Sequence, residues 1–130
     1  MRVVHPENAD ELQEALLAGS RLFNRGSYFE AHEVWEDAWR ALHGSERDFL
    51  RGLIQLAVAL KKAVEGNPNG ALRLLERANR LLSPYAPAQR NVDVAGVLQA
   101  MAILREQAAA WKAGQREDMD LTQAPPLPER

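Results

Sequence analysis

Apolar residues recur every three or four positions in five stretches of the chain, and this spacing predicts five amphipathic helices. Glycine or proline stands between several of these stretches, as at Gly26, Gly66 and Pro84, where helices are expected to end. We therefore predict an all-α fold with two antiparallel helical hairpins and a C-terminal helix. The predicted ranges are 10–42 and 46–82 for the hairpins, 93–113 for the C-terminal helix, 1–114 for the whole domain and 115–130 for an exposed or loosely packed proline-rich tail.

The third predicted helix, residues 46–65, is apolar nearly all round, which is typical of a helix at the centre of a bundle. Its narrow polar stripe consists of Arg47, Asp48, Arg51, Gln55 and Lys62. Gly52 lies inside this helix, where glycine costs about 1 kcal/mol relative to alanine. We therefore expect another helix to approach closely at Gly52, under Trp35 or Trp39.

The second predicted helix carries most of the candidate chemistry, including two of the three tryptophans and one of the three histidines. At 100° per residue, Trp35 and Trp39 fall within its apolar arc. His32 and Glu36 lie one turn apart at the border of that arc, so their half-buried polar groups should need partners. The Ser-x-x-Glu pattern of residues 27–30 is that of a capping box, which gives Glu30 a structural role.

A shift of about forty residues superposes the first hairpin on the second. The matched pairs include Gly26 with Gly66, Ala31 with Ala71, Trp35 with Leu75, Ala38 with Ala78 and Leu42 with Leu82. This pattern indicates an internal repeat, although two unrelated amphipathic hairpins would also share some matches. The Gly-x-Tyr-x-x-Ala run of residues 26–31 resembles the turn of a tetratricopeptide repeat, whose period of 34 residues is shorter. His32 aligns with Leu72, so the histidine belongs to the first hairpin alone.

Composition and charge exclude several classes of function. A net charge of −2 and a pI near 5.9 give no basic footprint for nucleic acid or an anionic membrane. The absence of cysteine excludes disulfides, thiolate metal sites and a cysteine nucleophile. The N-terminus lacks the apolar core of a signal peptide, and no apolar run could span a bilayer. We expect a cytoplasmic protein without nucleic-acid or membrane partners. We also expect Met1 to Pro6 to form an extended arm before the first helix.

Motifs for catalysis are scarce. No G-x-S-x-G elbow exists, and the turn at 66–70 lacks the lysine of a phosphate-binding loop. His32 and Glu36 could bind a divalent metal, with Glu33 as the general base of a metal-assisted hydrolysis. The order here is His32-x-x-x-Glu36, and the Glu-x-x-His motifs that a di-iron helix bundle would need are not in the sequence. The structural alternative pairs Glu36 with His32 or with an arginine such as Arg47 or Arg51.

Three runs of residues resemble the domain-of-unknown-function family 309, a family of small all-helical proteins of bacteria and archaea. They are Tyr28-Phe29-Glu30-Ala31-His32-Glu33-Val34-Trp35-Glu36, Phe49-Leu50-x-Gly52-Leu53-Ile54-Gln55-Leu56-Ala57 and Gly66-Asn67-x-x-Gly70-Ala71. The resemblance covers about residues 14–82. It implies an all-α fold and no activity, because none is established for the family.

We therefore interpret the chain as a structural or interaction module that binds a protein or a small ligand, and we expect it to self-associate. The predicted binding groove is edged by Glu30, His32, Glu33, Glu36, Trp39 and Gln55. This interpretation requires no cofactor. The alternative is a metal-dependent hydrolase with a divalent metal on His32 and Glu36.

Overall fold

The computed structural model of the protein describes residues 9–129 and contains five α-helices within that range. They are α1 (Ala9–Asn24), α2 (Tyr28–Ala41), α3 (Arg47–Val64), α4 (Pro68–Leu82) and α5 (Val94–Lys112), with single 3₁₀ turns at Ser83–Tyr85 and Leu121–Gln123. The predicted all-α class is confirmed. The arm predicted at Met1 to Pro6 lies outside the described residues. None of the helices described here is long and apolar enough to cross a membrane.

Each helix packs against the next one along the chain, so α3 lies between α2 and α4. Its side chains confirm the central position predicted from the sequence. The buried residues of α3 are Phe49, Leu50, Gly52, Leu53, Ile54, Leu56, Ala57, Ala59 and Leu60. Since a helix that is apolar nearly all round must be covered on several sides, α3 supplies much of the core that both hairpins share.

Glycines allow the close contacts between helices. The neighbour of Gly52, however, is not the one that we expected. A Cβ added to Gly52 would lie 2.6 Å from Cγ of Leu82, so the close neighbour is α4 rather than a tryptophan of α2. The glycine that packs on Trp35 is Gly19 of α1, where a Cβ would lie 2.0 Å from the indole nitrogen. That nitrogen donates a hydrogen bond of 3.2 Å to the carbonyl of Leu16. Trp35 therefore joins α1 to α2.

The turns of the two hairpins have the same backbone geometry. Gly26 and Gly66 adopt φ angles of +80° and +78°, in the left-handed region that favours glycine. The corresponding N–H···O bonds are Gly26 to Phe23 and Ser27 to Leu22 in the first turn, and Gly66 to Ala63 and Asn67 to Lys62 in the second. The turns therefore match at a shift of forty residues, while the internal repeat and the tetratricopeptide resemblance stay predictions.

The capping box expected at Ser27 and Glu30 does not form. The Ser27 side chain makes no capping hydrogen bond, and its backbone N–H donates to the carbonyl of Leu22 at 2.9 Å. Because the end of α1 already uses this N–H, the carboxylate of Glu30 is not required there. Glu30 is exposed in the first turn of α2.

The tail differs from the prediction at three apolar residues. Most of residues 115–129 are exposed, but Pro125 is buried, and Met119 and Leu127 are only 7% and 4% exposed. The side-chain amide of Asn24 donates to the carbonyl of Leu127 at 2.7 Å and accepts from its N–H at 2.9 Å. The Asp120 N–H also donates to Gln107 at 2.8 Å. The tail is therefore docked on α1 and α5 rather than loose throughout.

The loop between α4 and α5 is held by an ion pair to the start of α3. Arg90 donates to both carboxylate oxygens of Glu46, and Gln89 donates to the same carboxylate at 2.9 Å. The hydrogen bond from Arg90 is the main cause that lowers the pKa of Glu46 below its ordinary value. This carboxylate therefore stays ionised at neutral pH and links the two segments.

We predict that Gly52→Ala destabilises the protein by about 1–3 kcal/mol, because the new methyl group overlaps Leu82. In an open helix, the same change would stabilise by about 1 kcal/mol. Urea denaturation followed by circular dichroism measures the difference.

The control is Gly52→Ala in a Leu82→Ala background, where the overlapping atoms are gone. There the glycine substitution should be neutral or stabilising, although Leu82→Ala itself costs about 2–5 kcal/mol. Stabilisation by Gly52→Ala in the wild-type background would contradict the close contact between α3 and α4.

Candidate functional site

His32, Glu36 and Arg40 form a row of paired side chains along α2. Nε2 of His32 lies 2.6 Å from one oxygen of Glu36, and Arg40 donates to the other oxygen at 2.7 Å. The side chains of His32 and Glu36 are 24% and 32% exposed, so both are half-buried as we expected. Pairs with this spacing stabilise a helix by about 0.2–0.5 kcal/mol each. The row is therefore a modest stabilising element of α2.

The described part of the chain, residues 9–129, holds no group of three or more histidine, aspartate or glutamate side chains that could bind a metal ion. Glu33 is exposed, and both oxygens of Glu36 already have partners in His32 and Arg40. Zinc sites in proteins use three or four protein ligands. The geometry therefore supplies no third ligand for a metal on His32 and Glu36.

Trp39 lies at the end of α2 beneath two arginines of α3. The guanidinium carbon of Arg47 is 3.7 Å from the centroid of the indole ring, and that of Arg51 is 5.7 Å away. Arg47 also donates to the carbonyls of Trp39 and Leu42, at 3.2 and 2.7 Å. These carbonyls end α2, so Arg47 has a structural role as a C-terminal cap.

Two open depressions meet on the face formed by α2, α3 and α4. The depression between α2 and α3 has a volume of about 200 Å³. The depression between α3 and α4 has a volume of about 330 Å³. Both share Arg51 and Gln55 as lining residues. We call them together the arginine trough, which is lined by Glu36, Trp39, Arg51, Ile54, Gln55, Arg77, Arg80 and Leu81.

The arginine trough combines unpaired charge with unsatisfied polar atoms. Arg51, Arg77 and Arg80 are exposed, and none forms an ion pair within 4.0 Å with another residue of the described range. The indole Nε1 of Trp39 and the amide Oε1 of Gln55 are buried without a hydrogen-bond partner among residues 9–129. A buried polar group without a partner costs about 1–3 kcal/mol. This face therefore has exposed charges that a ligand can pair with, and two of its lining residues carry buried polar atoms that lack a partner.

The structure divides five of the six groove residues predicted from the sequence between two surfaces, and the sixth, Glu30, is exposed and lines neither. Glu36, Trp39 and Gln55 line the arginine trough. His32 and Glu33 instead line a separate depression of about 240 Å³ that they share with Glu36. Glu36 is therefore the residue common to both surfaces.

The sequence analysis missed the arginines of the trough. Arg51 and Gln55 are one turn apart on the polar stripe of α3, and Arg77 and Arg80 are three residues apart on α4. Arginines at such spacings are ordinary on exposed helix faces, so the pattern alone indicates no site. The sequence pattern does not show that α3 packs between α2 and α4. This packing brings these side chains around one cleft.

The fold and this surface define a small all-α protein with an open, arginine-lined trough. Residues 16–74 match a family described as "Domain of unknown function (DUF309)", and this match confirms the resemblance found in the sequence. A relative from Aquifex aeolicus (strain VF5), described as "Uncharacterized protein", is 35% identical over 71 residues. The match covers 54% of this chain and 20% of that relative, so it spans about a fifth of the relative's length.

We predict that His32→Ala and Glu36→Ala each destabilise the protein by less than about 1 kcal/mol, because each removes exposed or half-buried ion pairs from one helix. Neither change should alter the metal content of the purified protein. Thermal denaturation and elemental analysis by mass spectrometry measure the two effects.

Glu33→Ala is the matched control for this pair, since it removes an exposed carboxylate of the same helix. It should change stability by less than about 0.5 kcal/mol. Stoichiometric divalent metal in the wild type, lost in both His32→Ala and Glu36→Ala but kept in Glu33→Ala, would contradict our assignment.

Proposed function

We propose that this protein is an interaction module that binds a segment of a partner protein in the arginine trough. The observation that carries the proposal is the coincidence of three unpaired arginines and two unsatisfied buried polar atoms on one surface. Arg51 and Gln55 are central to the proposal because they line both depressions.

The shape of the trough favours a polypeptide over a small molecule. Pockets for small ligands are usually single concave cavities of about 300–1,000 Å³ that enclose most of the ligand. Here two depressions of about 200 and 330 Å³ lie side by side across three helices, and both are open to solvent. An extended or helical segment can follow such a path and remain exposed on one side.

The apolar part of the trough would contribute to affinity and orientation. Ile54 lies in the depression between α2 and α3, and Leu81 lies in the depression between α3 and α4. One apolar side chain of the partner could contact each of them. Interfaces of this kind commonly combine a buried apolar centre with a polar rim.

A photoreactive amino acid introduced at Leu81 tests the proposal in lysate of the native organism. We expect one protein to be cross-linked reproducibly and to be identified by mass spectrometry. An excess of unlabelled wild-type protein should compete for that partner. An excess of the variant Arg77→Ala/Arg80→Ala should not compete, because it lacks two arginines of the trough.

The matched control carries the photoreactive group at Gln99, an exposed position of α5 away from the trough. It should not cross-link the same partner. The proposal fails if position 81 captures nothing beyond the Gln99 background, or if both competitors are equally effective.

A further inference from the structure

Building on the proposed function, we infer that the occupant of the arginine trough is an acidic segment of a polypeptide, rich in aspartate and glutamate. The inference concerns the chemistry of the partner, whereas the proposed function concerns only the existence of a partner at this surface. It rests on three features of the trough: its charge, the kinds of polar atom that lack partners, and the position of the aromatic ring.

The trough has an excess of positive charge although the whole chain has a net charge of −2. Arg51 projects from α3, and Arg77 and Arg80 project from one side of α4. The carboxylate of Glu36 also lines the trough, but Arg40 and His32 already pair with it. Glu76 of α4, which is exposed and unpaired within the described range, does not line the trough.

Guanidinium groups match carboxylates well because the planar fork of arginine can donate two parallel hydrogen bonds to them. Residues three apart on a helix have Cβ atoms about 5–6 Å apart, so Arg77 and Arg80 can bind neighbouring carboxylates. Arg51 faces them from α3 across the second depression. Consecutive acidic side chains of a partner would therefore each accept hydrogen bonds from an arginine of the trough.

The two unsatisfied polar atoms favour a polypeptide over a simple anion. The indole N–H of Trp39 is a donor, and the amide oxygen of Gln55 is an acceptor. A peptide backbone offers both an acceptor and a donor in each residue, whereas a carboxylate offers only acceptors. Side-chain rotations of the kind common on binding would bring these atoms to the bound segment.

Nucleic acid fits the same surface poorly. Single-stranded nucleic acids are held by stacking of their bases on aromatic rings. One face of the Trp39 ring is covered by Arg47 at 3.7 Å, and Arg47 is held there by the carbonyls that end α2.

The test uses fluorescence anisotropy with three labelled probes: a peptide of ten glutamates, a peptide of ten glutamines and a ten-nucleotide oligothymidylate. We expect the glutamate peptide to bind the wild-type protein most tightly of the three. Its affinity should fall as salt is raised, because exposed charges are screened. Arg77→Ala/Arg80→Ala should weaken this binding about tenfold or more, since charge-assisted hydrogen bonds are lost.

Two variants serve as controls. Arg25→Ala removes an exposed arginine in the turn between α1 and α2, at the opposite end of α2 from Trp39, and should bind like the wild type. Arg77→Lys/Arg80→Lys keeps the charge and loses the bidentate geometry, so its affinity should be intermediate. Circular dichroism should show that every variant keeps the wild-type helix content, because alanine and lysine are good helix formers.

The inference is overturned if the oligothymidylate binds more tightly than the glutamate peptide, or if the glutamine peptide binds equally well. Equal loss of affinity in Arg25→Ala and Arg77→Ala/Arg80→Ala would also overturn it. If position 81 cross-links a partner that is displaced neither by salt nor by the glutamate peptide, the inference fails while the proposed function stands. Light scattering that shows a dimer of the wild type and only a monomer of Arg77→Ala/Arg80→Ala would place a second copy of this chain at the trough and would also contradict the inference.

Discussion

The packing of α3 between α2 and α4 is the constraint on which the rest of the structure depends. Gly52 removes a side chain where α3 meets Leu82 of α4, so the two helices approach closely. Most of the apolar surface of α3 is then covered by α2 and α4, while its narrow polar stripe and its C-terminal Val64 remain accessible. Arg51 and Gln55 lie on that stripe, which is why they line both depressions.

The same polar stripe carries two arginines with different contacts inside the fold. Arg47 stacks on Trp39 and caps α2 through two carbonyls, so its donors are used within the fold. Arg51, one turn later, lies farther from the ring and forms no ion pair with the rest of residues 9–129. Two identical side chains therefore make different contacts, because only Arg47 lies next to the carbonyls that end α2.

The helices and the central position of α3 could be predicted from the sequence because apolar periodicity is a local signal. The half-burial of His32 and Glu36 followed from the same helical geometry. The role of Glu30 could not be predicted from its motif, since the Ser27 N–H is used by the turn that ends α1. The Ser-x-x-Glu pattern does not show whether the Ser27 N–H donates to Glu30 or to the end of α1, because that choice depends on how the preceding helix ends.

Contacts between distant segments account for the remaining differences. Leu127 is held by Asn24, more than a hundred residues earlier in the chain, and a single leucine among prolines gave no sign of this. The close contact at Gly52 was expected, but its partner was not, because many apolar residues could have filled that place. The arginine trough arises from three helices and became visible only when their order in space was known.

The most direct test of the central claim is a nuclear magnetic resonance titration that follows the indole N–H signals of the three tryptophans. When the glutamate peptide is added, the signal of Trp39 should shift, because its buried N–H gains a partner. The signal of Trp35 should stay unchanged, because its N–H already donates to Leu16 within the core. An unchanged Trp39 signal, or equal shifts of all three tryptophans, would contradict binding at the arginine trough.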